Sequence, residues 1–161
     1  MNRAHPLFAP LQAYCKVHKV RLVTVGADLT DSRPTWDGTT LDATRADDAS
    51  FVLHELAHCL TGLRSLPNYG LGGDPGGGAD TPCVVTESER ASYENLALIA
   101  TVALMKDFGC SDVAIKHYVG SYGFEYWAPP ERWGVWETLK ESHPHVTAKL
   151  TDEELRRLMA L

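Results

Sequence analysis

His54-Glu55-Leu56-Ala57-His58 sets two imidazoles four residues apart with a carboxylate beside the first. On a helix this spacing is about one turn, so both rings stand on one face and can reach a single metal ion, and Glu55 is placed as a general base next to it. At about 100° per residue from His54, His58 falls near 40°, Phe51 near 60° and Glu55 near 100°, whereas Val52, Leu56, Cys59, Leu60 and Leu63 fall between roughly 140° and 240°. The spacing therefore predicts a ligand face turned to a cleft and an opposite apolar stripe that fixes it to a core.

A catalytic zinc keeps three protein ligands and an open position, so a third donor must come from elsewhere in the chain. Glu87, Glu89 and Glu94 follow on one long helix. Glu87 and Glu94, seven residues apart, share a face, and Glu89 points roughly 140° away. Glu94 lies further into the apolar part, where an unpaired carboxylate is costly and ligation would account for it. Glu87 suits a first-turn acid favoured by the helix dipole. Glu94 is the preferred third ligand and Glu87 the alternative. A His, His, Glu set would also accept Mn, Co or Ni.

The elements that must position these residues are legible as patterns. Leu7 to His18 has helical spacing after Pro6, and the β-branched run Val20 to Val25 reads as a strand ending at Gly26. Asp28 to Pro34 is turn-rich, and Thr35 to Ala43 reads as a strand or a hairpin around Asp37-Gly38. The first ligand helix runs from caps at Asp47 or Asp48 to Leu60 and stops at Gly62. Tyr69 to Ala79 is a Gly and Pro-rich loop without the Gly-Lys-Ser/Thr ending of a phosphate loop. Thr86-x-x-Glu89 opens a central buried helix from Glu87 to about Asp107, closed by Gly109. Ser111 caps a helix through Val119, Pro129-Pro130 opens one through about Glu141, and Thr151-x-x-Glu154 opens the last. His143-Pro144-His145 reads as a loop, and Trp133 and Trp136 as packing residues.

At the two ligand helices the chain resembles zincin metallopeptidases of the gluzincin type, with His-Glu-x-x-His followed on a later helix by Glu94-Asn95-Leu96-Ala97. The resemblance is closest to the metallopeptidase domain of ArdC-type antirestriction proteins and more distant to the ImmA/IrrE peptidases. It runs through Phe51 to Gly62 and Tyr93 to Gly109 and covers about a third of the chain. By resemblance, the Thr35 to Ala43 strand would be the edge that pairs with extended substrate.

Composition bounds the rest. The 161 residues, 44% hydrophobic and 22% charged, suit one packed domain over 1–161, and a net charge of -6 from 15 basic against 21 acidic residues gives no broad basic surface for nucleic acid. There is no apolar run long enough to span a bilayer and no recognisable leader, so a cytoplasmic protein is expected, with its four cysteines as free thiols. The expected fold is α+β: a minimal zincin-like arrangement of a small sheet packed on the His54 helix and the Glu94 helix, with C-terminal helices closing the cleft. The expected function is zinc-dependent hydrolysis of peptide bonds in a protein or peptide substrate, with zinc on His54, His58 and Glu94 and Glu55 activating a zinc-bound water. The alternative is a catalytically weak zinc module that acts by binding a partner protein or nucleic acid. His117, Tyr118, Tyr122 and Tyr126 are the candidates for the oxyanion donor.

Overall fold

A computed structural model describes residues 5–23, 35–36, 40–42, 49–61, 87–121 and 129–159. Among these, helix dominates, and the coarse class is α-rich. Helix α1 (Phe8–Val17) carries Pro10 in its first turn, where no backbone N–H partner is needed. It ends with Lys19 in the left-handed region (φ 57°), the Val20 N–H donating to the Cys15 carbonyl at 2.8 Å and the Lys19 N–H to that of Lys16 at 3.3 Å. Three short strands follow: β1 (Arg21–Val23), β2 (Thr35–Trp36) and β3 (Thr40–Asp42). β3 is central, parallel to β1 with Leu22 opposite Leu41, and antiparallel to β2 with Trp36 opposite Leu41. The Thr35 to Ala43 segment is thus a strand pair rather than one edge strand, and only its first arm, β2, lies at an edge.

Helix α2 (Ala49–Leu60) bears the His-Glu-x-x-His sequence and lies beside β2 and β3. Its expected caps at Asp47 or Asp48 and its stop at Gly62 lie outside the described residues. So do the Asp28 to Pro34 turn, the Tyr69 to Ala79 loop, Thr86, Cys83, Trp127, Tyr122 and Tyr126. α3 (Glu87–Asp107) is the longest helix and packs on α2 more extensively than any other pair of elements pack together. Its end is built as the Gly109 reading requires: Gly109 has φ +74°, and the Cys110 N–H donates to the Met105 carbonyl at 2.8 Å. α4 (Asp112–Ser121) begins with the Ala114 N–H on the Ser111 hydroxyl at 3.2 Å and runs two residues beyond the expected end.

α5 (Pro129–Ser142) is followed by a single turn, α6 (Pro144–Thr147), where a loop was expected. Pro144 at its first position supplies the helical φ, and burial of Val146 and Thr147 holds the turn in place. α7 (Asp152–Met159) has a reciprocal cap: the Glu154 N–H donates to the Thr151 hydroxyl, and the Thr151 N–H to the Glu154 carboxylate. α3 touches α2, α4, α5 and α6, so it is the axis of the core. Ala97, Ile99, Ala100, Val102, Ala103 and Leu104 along it are fully buried, as are Ile115, Trp136, Leu139 and Leu155 around it. Trp136 fills this core while its Nε1–H donates to Asp152 Oδ1 at 2.8 Å, which reconciles a buried indole with its one polar atom. No helix among the described residues is long and apolar enough to cross a membrane.

Candidate metal centre

The site is made where α2 meets α3. Three helical turns of α2 are anchored by Val52, Leu53, Leu56, Ala57, Cys59 and Leu60, all buried, and the small residues of α3 allow the two helices to lie close. The sequence pattern predicts a ligand face turned to a cleft, and here His54 is only 2% and His58 only 3% exposed. The reason is α3, which covers that face and brings Glu94 onto both imidazoles. Within α2, exposure is left to Phe51 and in part to Glu55 and Ala49.

Glu94 Oε2 lies 3.3 Å from His54 Nε2 and 3.4 Å from His58 Nε2, and the two Nε2 atoms are 3.1 Å apart. One ligand atom from each residue thus falls in a tight triangle, the sole group of this kind among the described residues. Four ligands placed tetrahedrally around zinc at 2.0–2.1 Å are separated by about 3.3 Å, so the triangle has the edge lengths such an ion needs. The His54, His58, Glu94 group could hold a metal ion; the donor set alone does not select among Zn, Mn, Co and Ni. The side chain of Glu87 lies outside the described residues.

The three groups shift one another's proton affinities. Burial pushes Glu94 up, but its hydrogen bonds to His54 and His58 and their charges outweigh that and keep its carboxyl well below the usual range. Burial lowers His54, and the charge of His58 opposes a second proton beside it, so His54 is held below its ordinary value despite Glu94. For His58, burial is overcome by the hydrogen bond to Glu94 and by the charges of Glu94 and Glu55, and its affinity for a proton is raised. Glu55 is half-buried and close enough for its charge to act on His58, but it is not one of the three clustered donors.

Two further residues, Tyr118 and Thr101, meet the other ring nitrogen of His54. Tyr118 Oη, on α4, is 2.8 Å from His54 Nδ1, and Thr101 Oγ1, on α3, is 3.4 Å from the same atom. Tyr118, a candidate oxyanion donor, has its hydroxyl on the His54 ring nitrogen that faces away from Glu94. His117 is exposed on α4, and Tyr122 and Tyr126 lie outside the described residues. Thr101 had a signal that went unread: it is the one hydroxyl in the run Ala97 to Met105 and stands seven residues, two turns, after Glu94 on the same face. Nothing local marked Tyr118, which reaches the site only through the packing of α4 on α3.

The chain matches no model of a known protein family, no curated protein sequence and no solved structure.

Proposed function

We propose that this chain is a zinc-dependent peptidase of the minimal zincin kind, with His54, His58 and Glu94 as the metal-holding residues and Glu55 as the general base. The observation that carries the reading is the triangle of donor atoms at 3.1, 3.3 and 3.4 Å, built by two helices that both resemble the gluzincin pattern. When bound, zinc supplies Lewis acidity, polarising a carbonyl and bringing the ionisation of water down to about pH 7. Glu55, next in sequence to His54 and near His58, takes a proton from the attacking water and returns it to the departing amine as the C–N bond breaks and the C–O bond forms. The exposed side of α2 at Phe51 and Glu55 is the side from which a peptide reaches the site. The short sheet beside α2 belongs to the same reading, with β2 as the edge available to an extended substrate.

The test is metal content by elemental analysis of the wild type beside His58→Ala and Glu94→Gln, followed by peptide hydrolysis with Glu55→Gln. Near one zinc per chain in the wild type, lost or much weakened in the first two variants, is expected. Glu55→Gln should keep the metal and lose about 10²–10⁴-fold in hydrolysis. A wild type that takes up no zinc when zinc is offered would sink the reading. Stoichiometric zinc without hydrolysis would leave a zinc module that acts by binding a partner.

A further inference from the structure

We draw no further inference here: the strongest candidate, the histidine cluster of His18, His143 and His145 where α1 meets the turn between α5 and α6, stacks His18 on His145 at 5.2 Å but does not bring three ring nitrogens together as a ligand set, and nothing in the structure shows what it would bind.

Discussion

Glu94 Oε2 sits 3.3 Å from His54 Nε2 although the two residues belong to different helices, so the separation and register of α2 and α3 set the ligand spacing. Ala97, one turn after Glu94 on the same side of α3, is fully buried and has only a methyl group to place there. Ala97→Leu is expected to cost about 1–3 kcal/mol by overpacking and to lower zinc uptake, because the helices must part to admit it. Urea denaturation and elemental analysis measure the two effects. Unchanged zinc content in a destabilised variant would show that the spacing is set elsewhere.

Zinc should stabilise the folded chain in proportion to its occupancy. At a free concentration of 100 times Kd the wild type gains about 2.7 kcal/mol, seen as a higher melting temperature that a chelator reverses. His58→Ala, which removes one vertex of the triangle, should show a much smaller rise. Equal protection of both proteins would place the ion at another site.

Much of this arrangement is visible in the residues themselves. The limits of α3 follow from an apolar run and a closing glycine, and the last helix from the reciprocal Thr151 and Glu154 cap, because such signals act within a few residues. The choice of Glu94 over its neighbours follows from the cost of an unpaired carboxylate among apolar side chains. The one-turn helix at Pro144 is not legible, since the burial of Val146 and Thr147 that holds it depends on distant packing. The covered ligand face is hidden for the same reason. A helical wheel places His54 and His58 opposite the apolar stripe but says nothing of what another helix lays over them.

Lys19 is the one non-glycine residue with positive φ among the described residues, at 57°, and its place after α1 is one that favours glycine. The left-handed region costs an L-residue roughly 1–2 kcal/mol, offset in part by the larger chain entropy glycine loses on folding. Lys19→Gly should therefore stabilise the protein by about 0.5–1 kcal/mol, with no change in zinc content. Chemical denaturation checks the sign. A loss of stability would mean that the lysine side chain contributes contacts that outweigh the backbone strain.

Two ion clusters tie the C-terminal helices together. Asp112 meets Arg157 at 2.6 Å and Lys106 at 3.3 Å, and Lys106 also meets Glu154 at 3.0 Å. Asp152 accepts from Trp136 and from Lys140. Arg157, then Lys106, lowers Asp112; Trp136, then Lys140, lowers Asp152; the Thr151 backbone, then Lys106, lowers Glu154. A carboxyl held below its unfolded value, 3.8 for Asp or 4.5 for Glu, favours the fold above that value and loses the contribution as pH falls through the folded one. The urea midpoint should therefore fall on acidification below about pH 4.5, less steeply in Asp112→Asn and in high salt, since these pairs face solvent. An acid limb identical in wild type and Asp112→Asn would remove this cluster as its cause.

Cys15 is 1% exposed, and burial, with Cys59 adding to it, pushes its thiol up to about 12. Only the thiolate is a nucleophile, so the native protein should be nearly inert at this position at pH 8, and half-buried Cys110 should react ahead of it. The same shift fixes a pH dependence of stability. Between the ordinary value of 9.0 and about 12 the folded chain holds a proton that the unfolded chain has released, so stability falls as pH rises through that window. Labelling with a disulfide reagent, read position by position by mass spectrometry across a urea series, should give Cys15 a rate that follows the fraction unfolded. Labelling of Cys15 as fast as Cys110 in the absence of urea would show that α1 opens locally, without the unfolding of the core on which it rests.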